Sequence, residues 1–318
     1  MRVLVWHVHG SWTTSFVQGD HDYVLPLLAG RGPDGRGRAR TWDWPATVHE
    51  VPADQLAAIE VDAVVLQRPH EPELLLRWTG RRPGADLPAV YVEHNAPTGP
   101  AAATRHPMAD QDAVPIVHVT PFNAVMWDCG SAPTLVIEHG IVDPGYRYTG
   151  ELGSLAAVVN EPVRRWRVAG TDLLLTMSEA VPVEVFGMGL DALVERAPQL
   201  AGNVHDLPQH RLHDRIGQHR AYFHPYRWTS LGLALLEAMT LGMPVLGLPT
   251  TAAPEAVPAA AGVLSSDLDL LRRTAHRWTN EPDEARERGR AARAHALSRF
   301  GLQRFLDDWD ALLKEVTR

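Results

Sequence analysis

Short apolar runs of strand length recur along the chain and alternate with segments whose apolar positions follow a helical period. In the first half the runs are Val3 to Val8, Ala63 to Gln67, Ala89 to Glu93, Ile116 to Thr120 and Thr134 to Glu138. Helices are predicted among them at about Asp22 to Ala29, Pro72 to Trp78 and Pro121 to Trp127. A second series begins near Leu155, with strands predicted at Leu155 to Val159, Val181 to Phe186, Ala221 to His224, Pro244 to Leu248 and Gly262 to Ser265. Strands alternating with helices in this way favour doubly wound parallel sheets. The end of the chain reads as three helices, Leu268 to Thr279, Glu284 to Arg299 and Gln303 to Val316. In the last of these Phe305, Trp309, Leu312 and Leu313 form one stripe that needs a partner surface.

Two series in 318 residues imply two domains, since a chain of this length exceeds the usual single core. The break falls in DPGYRYTGELGS, Asp143 to Ser154, where Gly, Pro and Tyr cluster without apolar periodicity. Domains 1–148 and 149–300 are therefore expected, two similar halves about a hinge with a cleft between them.

Composition narrows the function classes. Charged residues make up 21% and hydrophobic ones 45%, an ordinary globular balance that excludes a disordered chain. A net charge of -8 argues against broad nucleic-acid binding, which needs a basic surface. The single cysteine, Cys129, excludes an intramolecular disulfide and a cysteine-rich metal site and fits a reducing cytoplasm. MRVLVWHVHG lacks the apolar core of a signal peptide, and no run approaches the roughly 18 apolar residues of a membrane span. A cytoplasmic protein is expected, with room for peripheral membrane contact through an amphipathic face. His210 and His213 have a spacing metals can use, but they fall in a polar helix and read as a solvated face; no metal site is expected. Nothing in the pattern sets the oligomeric state.

The segment richest in chemistry is YFHPYRWTSLGLALLEAMTLGMPVLGLP, Tyr222 to Pro249. A strand closed by Pro225, a helix over Leu231 to Leu241, Gly242 as its C-cap and a second buried strand form a parallel crossover unit. Ligands of such sheets bind beyond the carboxyl ends of the strands, which places a site at Tyr226 to Gly232. Free amides near Ser230 to Leu233 suit phosphate oxygens. Glu237 is the only ionisable residue in that helix. From spacing alone it reads equally as a solvated helix carboxylate or as an acceptor of two hydrogen bonds from a vicinal diol such as a ribose.

Four segments in order resemble the GT-B glycosyltransferases, specifically the large retaining group called group 1 or family four. They are IEHGIVD at 137–143, VEVFGMGLDAL at 183–193, LPQHRLHDRIGQHRAYFHP at 207–225 and the loop and helix that follow. Together they lie within residues 134 to 310. The resemblance implies two doubly wound Rossmann-like domains facing across a cleft, with the last helix, 301–318, completing the N-terminal acceptor domain and 149–300 forming the donor domain. It implies transfer of a sugar from a nucleoside-diphosphate sugar to a hydroxyl acceptor, with retention and without a metal or other cofactor. Glu237 would hold the ribose, and the amides of Ser230, Leu231, Gly232 and Leu233 the diphosphate, with Gly187 in the turn after a neighbouring strand. In NEPVRRWRVAGTDLL a basic residue would meet the diphosphate, Arg165 first and Arg164 second; an Arg fork suits phosphate oxygens. In the N-terminal half, HVHGSWTTSF would supply a loop with Gly10 toward the donor and Trp12 toward the acceptor, and His94 would orient the donor. The chain departs from the family at Thr229, which stands where the first carboxylate of the family's pair is expected. A hydroxyl can bond a sugar oxygen but cannot stabilise developing positive charge, so the departure leaves open a non-catalytic nucleotide-sugar-binding or partner subunit. A dehydrogenase-like dinucleotide site is disfavoured, because no G-x-G-x-x-G follows the first strand.

Overall fold

The structure, a computed structural model, describes residues 1–318. The chain divides into two compact units, Met1–Val142 with Leu302–Arg318, and Asp143–Gly301. The first thus ends at Val142, immediately before the Gly- and Pro-rich segment, rather than at 148.

The first unit is built on seven strands, β1 (Arg2–Val5), β2 (Asp22–Leu27), β3 (Val48–Pro52), β4 (Ala63–Leu66), β5 (Ala89–Glu93), β6 (Ile116–His118) and β7 (Thr134–Val136). All neighbouring pairs are parallel, in the order β3-β2-β1-β4-β5-β6-β7. Its helices are α1 (Gly10–Phe16), α2 (Glu71–Thr79) and α3 (Pro121–Met126). Every residue of β4 and β5 is buried, as a parallel sheet covered on both faces requires.

Two expectations fail here. Asp22 to Ala29 is not a helix but holds β2, in which Tyr23, Val24 and Leu25 are buried between β1 and β3. Pro26 is unfit for a helix interior and lies past the last residue paired with β1, where its missing N–H disturbs no ladder on that side. Gly10 to Trp12, expected as a loop, opens α1 instead.

The second unit carries β8 (Leu152–Val158), β9 (Val183–Phe186), β10 (Val204–His205), β11 (His219–His224), β12 (Val245–Gly247) and β13 (Gly262–Leu264). They are again all parallel, in the order β10-β9-β8-β11-β12-β13. The helices are α4 (Trp166–Ala169), α5 (Thr171–Ser178), α6 (Asp191–Arg196), α7 (Gln209–Ile216), α8 (Leu233–Leu241), α9 (Ala253–Ala256), α10 (Leu268–Asn280) and α11 (Pro282–Arg299). The last helix, α12 (Leu302–Val316), belongs to the first unit and lays Phe305 and Trp309 edge-on against Trp12 of α1. Its stripe is buried, as its spacing required.

Counted from its own first strand, each sheet runs 3-2-1-4-5-6, with β7 added at the edge of the first, the doubly wound order in which ligands sit where the winding reverses. In the first unit that reversal lies between β1 and β4, in the second between β8 and β11. No helix is long and apolar enough to cross a membrane.

Candidate active site

In the second unit the loop after β8 and the loop after β11 lock together at the reversal. Gly170, with φ +71°, lies so close to Pro225 that a Cβ would stand 1.9 Å from its carbonyl oxygen. Only glycine tolerates both the left-handed backbone and that approach. Asp172 then receives Arg227 through two bonds of 2.6 and 2.7 Å, and Arg227 holds the Asp172 carboxyl below its usual range. The Arg227 amide donates to the carbonyl of Val168 at 3.0 Å.

This frame aims one arginine inward. The Arg165 guanidinium lies over the Tyr226 ring, 5.4 Å from its centroid, and Tyr226 stacks on His224 at the end of β11. Arg164 is 71% exposed and 3.6 Å from Glu161; Arg167 is 70% exposed and bonded to Asp172 at 2.7 Å. Of the three arginines, the structure brings only Arg165 onto the floor of the reversal. Gly187 follows β9 at φ +140°, where a Cβ would meet the Val159 carbonyl oxygen at 2.4 Å.

Helix α8 starts two residues later than the spacing suggests. Gly232 is its N-cap, no side chain caps it, and no acidic residue occupies its first turn. Such an end carries partial positive charge and outward amides. Ser230 and Leu231 are buried just before it, and Thr229 is half-buried in the same loop. Gly232 sits against His224, whose Cε1 would be 3.0 Å from an added Cβ.

Glu237 is not on a solvated face. It is 6% exposed, within a helix buried from Leu235 to Leu241, and its Oε2 accepts a bond of 2.8 Å from Gln209 Nε2 and lies 3.4 Å from His213 Nε2. The reading of His213 as solvated is therefore corrected: it is 8% exposed and faces α8. Gln209, His213 and Ile216 share one face of α7, an i, i+4, i+7 spacing that would have revealed an inward face had the polar side chains not masked it. No group of three potential metal ligands forms anywhere in the chain.

The reversal in the first unit has different chemistry. His9, at the N-cap of α1, packs against His94 with ring centroids 4.1 Å apart, and Gly10 follows it. Gln67, just after β4, donates from Nε2 to the Trp6 carbonyl at 2.7 Å, which turns its Oε1 to His94 Nε2 at 3.0 Å. Since that oxygen can only accept, His94 carries its proton on Nε2 and presents Nδ1 as an acceptor. Burial, with His9 and His139 nearby, holds His94 well below the usual imidazole range. It is a neutral group, suited to receive a hydroxyl hydrogen bond. Trp12 is a correction: at 1% exposure, stacked on Phe16 and walled by Phe305 and Trp309, its ring is core and cannot touch an acceptor.

No family model and no curated protein matches this sequence. Among solved structures the chain is similar to sucrose-phosphate synthase from Thermosynechococcus elongatus, with TM-score 0.73 and 12% identity over 99% of both chains. It is similar to HepE of Anabaena in complex with UDP-glucose, with TM-score 0.68 and 15% identity over 99% of this chain and 100% of that one. It is also similar to a glycosyltransferase from Rickettsia africae, with TM-score 0.66 and 12% identity over 100% and 98% of the two chains. The chain has the GT-B glycosyltransferase fold. Within the GT-B fold, Arg165, Tyr226, His224 and the start of α8 adjoin at the reversal of the second unit, and Glu237 lies one turn further along α8. Gly10 and His94 meet separately at the reversal of the first.

Proposed function

We propose that this protein is a glycosyltransferase that moves a sugar from a nucleoside-diphosphate sugar to a hydroxyl acceptor, with retention and without a metal. The observation that carries this reading is the uncapped start of α8 with the buried carboxylate of Glu237 behind it. Helix side chains lean toward the N-terminus, so Glu237 reaches back toward the loop where a diphosphate would lie, at the right end to take the ribose hydroxyls. The amides of the 230–233 turn and the guanidinium of Arg165 would meet the charge that grows on the departing diphosphate, a task preorganised donors perform without a metal. The acceptor hydroxyl would approach the same face of the sugar and pass its proton to the leaving phosphate. His94, an acceptor at Nδ1, would hold a sugar hydroxyl. The second unit would take the nucleotide diphosphate of the donor. The neighbours HepE, with UDP-glucose, and sucrose-phosphate synthase support the donor class. A cytoplasmic location, where such donors are made, accords with the composition.

Thr229 favours a second reading, a nucleotide-sugar-binding subunit without turnover, because no carboxylate stands at that loop position. One experiment separates the two. Thermal shifts against UDP-, GDP- and dTDP-sugars identify the nucleotide, since a ligand at 100 times its Kd stabilises by about 2.7 kcal/mol; donor hydrolysis and transfer are then measured with and without a chelator. Turnover that survives chelation supports the transferase. Tight binding with no hydrolysis or transfer over many acceptors supports the binding subunit. No stabilisation by any nucleotide sugar overturns both.

A further inference from the structure

The pair Gln209 and His213 has no place in the scheme above, yet both lie within hydrogen-bond reach of the Glu237 carboxylate. Gln209 is the first residue of α7, and α7 begins four residues after β10 ends, at the carboxyl edge of the sheet. Helix α8 begins at the same edge, after β11. The start of α7 meets α8 at Glu237, one turn past the start of α8. Gln209 Nε2 lies 2.8 Å from Glu237 Oε2 and 2.8 Å from His213 Nε2, and the imidazole is itself 3.4 Å from the same carboxylate oxygen. With two amide hydrogens, Gln209 can donate to both partners at once.

A carboxylate in an apolar helix needs partners to stay charged, and a helix-to-helix tether would satisfy that need anywhere along α8. Here it grips one oxygen of a carboxylate that lies one turn into α8, behind the uncapped start that follows the loop after β11. Gripping Oε2 from the α7 side sets the plane of the carboxylate, and that plane decides whether both ribose hydroxyls can be met with good geometry. We propose that Gln209 and His213 are positioning residues that set the pose of Glu237 and so give the site its preference for ribonucleotides over 2′-deoxyribonucleotides. This rests on Glu237 being the ribose ligand.

The test compares two matched pairs, UDP with 2′-deoxy-UDP and GDP with 2′-deoxy-GDP, by calorimetry on the wild-type chain and on Gln209→Met, His213→Asn and Glu237→Gln. Gln209→Met keeps length and removes the donor at a half-buried site. The wild type is expected to prefer the ribonucleotide by roughly ten-fold or more, the scale of a hydrogen bond to a charged group. Gln209→Met is expected to lose most of that preference by weakening the ribonucleotide alone, with 2′-deoxy affinity unchanged and His213→Asn intermediate. A merely structural tether would weaken both members of a pair equally and lower the melting temperature, and that result overturns the proposal. So does a full preference in both α7 variants alongside its loss in Glu237→Gln, which leaves Glu237 as the ribose ligand intact. A wild type that binds neither pair, or does not distinguish its members, overturns the ribose assignment itself and the positioning role with it.

Discussion

The two sheets share one winding order and yet present opposite chemistry where it reverses. Around β8 and β11 stand a guanidinium over Tyr226, an uncapped helix start and, one turn into that helix, a buried carboxylate. Between β1 and β4, carried on to the end of β5, buried imidazoles meet instead, with His9 held down to about 4 and His139 to about 3 mainly by burial. The fold fixes where a ligand can enter each sheet, and only the side chains decide whether that place suits an anion or a neutral hydroxyl.

The sharpest way to break this contrast is at the glycines. Gly170→Ala is expected to cost roughly 3 kcal/mol or more, because a Cβ there would meet both a left-handed backbone and the Pro225 carbonyl. Urea unfolding should show that loss, and nucleotide binding should fail with it. Gly10→Ala, whose Cβ would meet only the Trp42 ring at 3.6 Å, should unfold like the wild type. Equal losses would mean the two reversals are not built differently.

Acid tests the neutral histidines. An imidazole depressed in the folded state contributes stability that is present above its unfolded value near 6.5 and lost as pH falls toward the folded value, since the unfolded chain binds protons the fold refuses. His139 should therefore contribute a loss of roughly 2 kcal/mol between pH 7 and 5, and His139→Asn should flatten the dependence by that amount in urea titrations. His224, held down to about 4 by burial alone, contributes a parallel loss from the second unit. An unchanged slope in His139→Asn would show that its neighbours accommodate the charge.

Smaller effects divide the two reversals by ligand. Glu237→Ala should weaken donor binding by about 1–3 kcal/mol, whereas His94→Ala should leave the affinity for the nucleotide diphosphate alone nearly unchanged and slow transfer. Calorimetry with the diphosphate and with the intact sugar donor reads the difference, and equal losses of diphosphate affinity would merge the two roles. The least effect is expected at Arg164 and Arg167. Their replacement by Ala should change affinity less than two-fold, while Arg165→Ala loses about 1 kcal/mol or more; the reverse ranking would move the phosphate contact to the exposed arginines.

Much of this architecture was legible in the chain. Thirteen strands form, and ten of them fall on the apolar runs; the central strands of a parallel sheet are buried on both faces, so an apolar run marks them, although β7 at the sheet edge is largely exposed. The pattern of DYVLPLLA suits a helix about as well as a strand, and only its neighbours β1 and β3 make β2 a strand. β3 and β10 carry no apolar run, because they are sheet edges whose residues are mostly only partly buried. In the site, Gly232 and Glu237 were visible through the strand-loop-helix pattern. Gln209 and His213 were not, since a polar residue facing inward to a carboxylate has the same sequence signature as one facing water.

By itself, then, the sequence determined the two parallel sheets, the break between them and the loop where a phosphate would lie, because local periodicity and glycine placement are written residue by residue. Only the tertiary structure decided which of three adjacent arginines turns inward, that Trp12 is core rather than a contact, that His94 is neutral and accepts at Nδ1, and that Glu237 is held from α7. Those properties depend on burial and on partners far away in the chain, such as Tyr226 for Arg165 and Trp309 for Trp12, and no local pattern carries that information.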